Sequence, residues 1–147
     1  MSAQDVTTLK RVLLDHLRAE PGLQGVQIAY GYPARDPERE LIYGASGRFT
    51  RTIDALSGGM GGIAYRRTFT IDLHLQVRLP GGTVEEAEAR VVALGTEVEA
   101  FLDRNPRLAD LPGLLHAGVI AGEMGYAVDD DASTAALQLS LQFDTHP

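Results

Sequence analysis

Asp72 and His74 stand two residues apart in a run that alternates apolar and polar side chains. A period of two puts both on one face of a strand, where a carboxylate and an imidazole can form an acid–base dyad. The competing reading, a solvated or interface polar face, needs no further partner and is the one adopted here. The other histidines, His16, His116 and His146, are scattered, with no His-x-His or helical His-x-x-x-His pair to hold a metal. Gly44-Ala45-Ser46-Gly47 fails as a nucleophile elbow because Arg48 stands where the last glycine is needed. Asp129-Asp130-Asp131 lacks the alternating oxygens, glycine and distal glutamate of a calcium loop, so it reads as a solvated turn.

Ser57 to Gly62 reads Ser-Gly-Gly-Met-Gly-Gly. A phosphate-binding loop would continue into Lys and Ser/Thr at the start of a helix. Here Ile63 and Ala64 follow and lead into a strand, so neither a P-loop nor a dinucleotide fingerprint is present. Glycine costs the most backbone entropy to order, so this loop is expected to stay mobile until something holds it. Arg48, Arg51, Arg66 and Arg67 flank it and form the one basic cluster of the sequence. Their reading stays open between contact with an acidic neighbour, contact with passing DNA, and ordinary surface arginine. The candidate interaction residues are therefore Arg48, Arg51, Gly58, Gly59, Met60, Gly61, Gly62, Arg66 and Arg67. Nothing in the sequence calls for a cofactor or a metal, and the expectation is a protein that is not an enzyme.

The elements that would carry these residues are legible from periodicity. From Phe69 to Leu79 the chain alternates without a break, with Phe69, Ile71, Leu73, Leu75, Val77 and Leu79 on one face and Thr70, Asp72, His74, Gln76 and Arg78 on the other. With the preceding residues from Tyr65, this strand would reach roughly 50 Å at about 3.3 Å per residue, beyond the span of an ordinary small-domain strand. It suggests a ribbon or sheet built to meet other subunits. Asp5 to Leu17 predicts an amphipathic helix capped by Asp5 and ended by Pro21-Gly22. A short strand follows over Gly25–Gly31, then a polar loop with Pro33 and Pro37. Glu40–Ala45 predicts a second strand, with Arg48–Leu56 continuing the sheet after a kink at Gly47.

Beyond Pro80-Gly81-Gly82, Thr83 and Glu86 make a capping box for a second helix running to about Asp103. Its apolar stripe is Val84, Ala87, Val91, Leu94, Val98 and Phe101, with glutamates mostly opposite. A helix of this pattern covering a sheet is preferred to a coiled coil. Leu111–Leu115 reads as a connector and His116–Met124 as a strand weakened by Gly118 and Gly122. Asp129–Ser133 reads as a turn and Ala135–Phe143 as the last strand. The long strand and Leu137–Phe143 contain neither Pro nor Lys, so either would be an unprotected edge for pairing between copies. The expected fold class is α+β: a single domain over residues 1–147, a mainly antiparallel sheet with one long strand, packed by two helices.

Composition narrows the function. The 147 residues contain no cysteine, which excludes disulfides, thiolate nucleophiles and Cys-based zinc sites. The first residues have neither the basic nor the apolar region of a signal peptide, no apolar run approaches a membrane span, and synthesis in the cytosol is expected. A net charge of −7 argues against a dedicated nucleic-acid binder. That charge is split. Residues 1–80 hold ten Lys/Arg against eight Asp/Glu, a balance of +2, and residues 81–147 hold three against twelve, a balance of −9. The split reads either as solvated acidic helix faces or as a subunit with one basic and one acidic side, able to associate head to tail into a ring.

The order of elements resembles the tail terminator (tail completion) proteins of long-tailed bacteriophages. The resemblance rests on Leu9–Leu17 leading into Val26–Tyr30, on Tyr65–Leu79 with its Pro80-Gly81 stop, on the Glu85–Leu102 helix and on the closing Leu137–Phe143 strand. It covers nearly the whole chain and is one of pattern and size. It implies a virion structural protein, made in the host cytoplasm and located in the virion tail. Such proteins form a homohexameric ring that caps the tail tube, ends its polymerisation and joins it to the head connector. The implied partners are further copies of itself, the tail tube protein and the head–tail connector, with DNA passing through the ring without sequence-specific binding and no membrane. Two alternatives stand beside it: a tail tube subunit or head–tail adaptor, and a small ligand-binding α+β domain of ferredoxin-like type.

Overall fold

The computed structural model describes residues 5–56 and 63–146. The elements are α1 (Val6–Arg18), a single 3-10 turn (Pro21–Leu23), β1 (Gln27–Ala29), β2 (Glu40–Leu56), β3 (Ile63–Pro80), α2 (Val84–Arg104), β4 (Leu114–Val128) and β5 (Ala132–Thr145). The fold is α+β, a mixed and mostly antiparallel sheet with both helices packed on one face. Strand order is β1-β2-β3-β5-β4; β1 runs parallel to β2, and every other pair is antiparallel. β3, α2 and β4 make a split βαβ unit, with β5 inserted between the two parallel strands.

Local chemistry sets the helix ends. The Asp5 carboxylate accepts from the Thr8 N–H at 2.7 Å, and hydrogen bonds from Thr7 and Thr8 hold its pKa below the usual carboxylate value. Thr83 Oγ1 accepts from the Glu86 N–H at 3.1 Å and donates to the Glu86 carboxylate at the same distance. α1 buries Leu9, Leu13, Leu14 and Leu17, and α2 buries Ala87, Val91, Leu94, Val98 and Phe101. Both stripes meet Phe69, Ile71, Leu73, Leu75 and Val77 of β3, all between 0 and 1% exposed. Each such side chain contributes about 1.5–3 kcal/mol on leaving water. Gly95 lets α2 approach β5, since a Cβ there would stand 2.6 Å from Leu137 Cδ2. Arg90 of α2 closes the layer from above, donating twice to the Glu40 carboxylate at 2.5 and 2.9 Å.

Several boundaries differ from the sequence expectation. Glu40–Ala45 and Arg48–Leu56 form one strand, β2, interrupted by a bulge between Gly44 and Gly47. Lys10 holds that bulge, donating to the Ala45 carbonyl at 3.2 Å, with its ammonium 4.1 Å from the centre of the Tyr30 ring. β4 starts at Leu114, inside the expected connector, and runs to Val128. The turn shrinks to residues 129–131, where Asp129 Oδ1 accepts from the N–H groups of Asp131 and Ala132. Before β4, Leu108, Ala109 and Asp110 all take positive φ, a left-handed turn that tucks Leu108 and Leu111 under the core. The largest correction concerns edges. β3 and β5 are interior strands over their shared length, so neither is the unprotected edge that its lack of Pro and Lys suggests; the edges are β4 on one side and, on the other, β1 with the part of β2 beyond Tyr43 that pairs with β3 alone.

Candidate assembly surfaces

β3 pairs with β5 only from Thr68 onward, whereas its pairing with β2 continues to Ile63. Arg51–Leu56 and Ile63–Arg67 therefore leave the sheet as a two-stranded ribbon. Register fixes what each face carries. Phe49, Arg51 and Ile53 lie opposite Phe69, Arg67 and Tyr65, and this face continues the core face of β3. No helix among the described residues covers it there: Phe49 is 53% exposed, while its partner Phe69 is 1% exposed. Ile53, Ile63 and Tyr65 are exposed as well. Arg51 stacks 3.9 Å from the Tyr65 ring centre, and Arg67 lies 5.4 Å from that of Phe49. The result is an apolar face carrying two like charges directly across from each other.

The four arginines of the sequence cluster thus divide. Arg51 and Arg67 share the apolar face, while Arg48 and Arg66 point to the other side. Arg48 pairs in-chain with Asp72 at 3.5 Å, and Asp72, 7% exposed, also accepts from Ser140 Oγ at 2.9 Å. Gly58, Gly59, Met60, Gly61 and Gly62 lie outside the described residues. The Asp72/His74 dyad is not assembled: Asp72 is taken up by Ser140 and Arg48, and the His74 ring lies 4.9 Å from that of Tyr43. Burial pushes the His74 pKa down and the Tyr43 pKa up, Tyr32 adding to the latter. Among the described residues no group of three or more His, Asp or Glu is placed to hold a metal. No helix among them is long and apolar enough to cross a membrane.

A second surface lies at the opposite end of the sheet, and periodicity did not reveal it. β4 is paired to β5 on one side only and contains neither Lys nor Pro. It exposes Ile120, Met124, Tyr126 and Val128. Beside it runs a groove of about 570 Å³ between α2 and β4, floored by Val92, Val119, Met124 and Leu137. Glu99 and Asp103 stand on its helical rim. A shallower continuation passes Glu85 and Glu88 to Tyr126. The only sequence hint was the excess of acidic residues after position 80.

No family model matches the sequence, and no curated protein matches it. Among solved structures, a chain of the virion of a native gene transfer agent (GTA) particle superposes with a TM-score of 0.56 at 12% identity. The match covers 95% of this chain and 95% of that one. The two share a fold along nearly their entire length.

Proposed function

We propose that this chain is a virion structural protein of a phage-like tail, and within that class a tail terminator. In this reading copies join into a ring, a hexamer in the terminator family it resembles. The ring caps the tail tube, stops its growth and offers its far side to the head connector, with DNA passing through the centre. The chain acts as one domain that presents surface and performs no chemical transformation. The observation that carries the reading is the end-to-end fold likeness to a chain of a gene transfer agent virion. The projecting ribbon and the open β4 edge support it, because a monomer has no use for either and a heterologous ring interface needs two dissimilar patches. Electron microscopy of the purified protein tests it. Single closed rings are the expected particles. Long stacked tubes would make it a tube subunit, and isolated globules that bind a metabolite reproducibly in a thermal-shift screen would make it a ligand-binding domain.

A further inference from the structure

We infer that the surface joining one copy to the next is the apolar, arginine-bearing face of the β2/β3 ribbon seated in the acidic groove between α2 and β4 of a second copy. The inference rests on the ring reading and assigns its interface. The ribbon face offers Phe49, Ile53 and Tyr65 with Arg51 and Arg67 among them; the groove offers Val92, Val119 and Met124 with Glu99 and Asp103 above. Both are apolar strips carrying charge of opposite sign.

The spacing of the charges matches. Arg51 and Arg67 are cross-strand partners, which places their Cβ atoms about 4.5–5.5 Å apart. Glu99 and Asp103 are one helical turn apart, with Cβ atoms about 5–6 Å apart. Two guanidinium groups can therefore face two carboxylates at once.

The acidic pair is also a local misfit in the isolated chain. Glu99 and Asp103 sit in the last turns of α2, where the helix dipole already concentrates negative potential, and among the described residues neither has an ion-pair partner. A second copy resolves that misfit by bringing two guanidinium groups to it. Lengths agree as well. Phe49–Ile53 spans roughly 17 Å of strand, and Val92–Asp103 of α2 gives roughly 17 Å of groove wall. The docked ribbon would also cover the apolar flank of β4, whose exposure is a hazard in a free monomer.

Charge reversal tests the assignment by complementation. One variant carries Arg51→Glu and Arg67→Glu; the other carries Glu99→Arg and Asp103→Arg. Circular dichroism establishes that each is folded, and native mass spectrometry reads assembly. Alone, each variant should need at least about tenfold more protein than wild type to assemble, since like charges then face each other. Mixed one to one they should recover assembly, because in an alternating ring every contact again joins opposite charges. Variants that assemble alone as wild type does, or a folded mixture that stays apart, would overturn the assignment while leaving the ring reading intact. A wild-type chain that never assembles would overturn the ring reading itself, and this interface with it.

Discussion

β2 and β3 pass through two environments, and the contrast between them explains most of this molecule. Under the helices, Ile71, Leu73 and Leu75 of β3 are fully buried. Beyond the helices the same strands keep the same alternation, yet Phe49, Ile53, Ile63 and Tyr65 face solvent. The pattern that builds the core does not stop where the core stops. Apolar side chains placed on one face of an uncovered ribbon add little to the folding of a monomer; they become useful when another surface covers them.

The strongest way to break this contrast is to truncate one residue on each side of it. Leu73→Ala should cost about 2–5 kcal/mol in urea unfolding, since it opens a cavity in a close-packed layer. Ile53→Ala should stay within about 0.5 kcal/mol of wild type in the unassembled chain. A ribbon truncation as costly as the core one would mean that the ribbon is packed in the monomer. The next effect tests the joint between the regions. A Cβ at Gly44 would stand 2.7 Å from the Tyr30 carbonyl oxygen and closer still to the end of Lys10. Gly44→Ala should therefore cost about 1–3 kcal/mol and loosen the bulge from which the ribbon departs.

Two smaller effects sharpen the picture of the body. Glu40 is held below its usual pKa chiefly by the hydrogen bond from Arg90. Its contribution is present above the unfolded pKa and is lost as pH falls through the folded one. Glu40→Gln should remove about 0.2–1 kcal/mol at neutral pH, read as a shift in urea midpoint, and the loss should fade in acid. His74 works in a higher window. Burial favours its neutral form, so the unfolded chain binds the proton first and stability falls as pH drops below the ordinary histidine value of about 6.5. Tyr43, Asp72 and Gln138 surround it on that face, and none offers a cationic imidazole a free carboxylate, Asp72 being taken up by Ser140 and Arg48. His74→Gln should flatten the slope of melting temperature against pH between 7.5 and 5; an unchanged slope would locate the acid sensitivity elsewhere.

What could be read from the sequence follows the same division. The alternation from Phe69 to Leu79, the Asp5 cap and the Thr83/Glu86 box act over a few residues, and each appears in the fold where periodicity and capping put it. The extent of β4 was hidden because Gly118, Gly122 and Gly125 remove the side chains that would show a period, and because its far half is exposed on both faces. Strand order is a matter of long-range pairing, so nothing local marked β3 and β5 as interior. The four arginines looked like one cluster because register, which sends Arg48 and Arg66 away from Arg51 and Arg67, depends on the β2/β3 pairing and its bulge. The acidic groove joins α2 to a strand that follows it in the chain, and it existed in the sequence only as a charge imbalance.

Whether copies of this chain join is tested most directly by its mass in solution. Sedimentation velocity of the wild-type chain across the micromolar range should show one closed species of several copies, its size unchanged once formed. A lone monomer at every concentration would contradict the account, since the exposed ribbon face would then have no second copy to cover it.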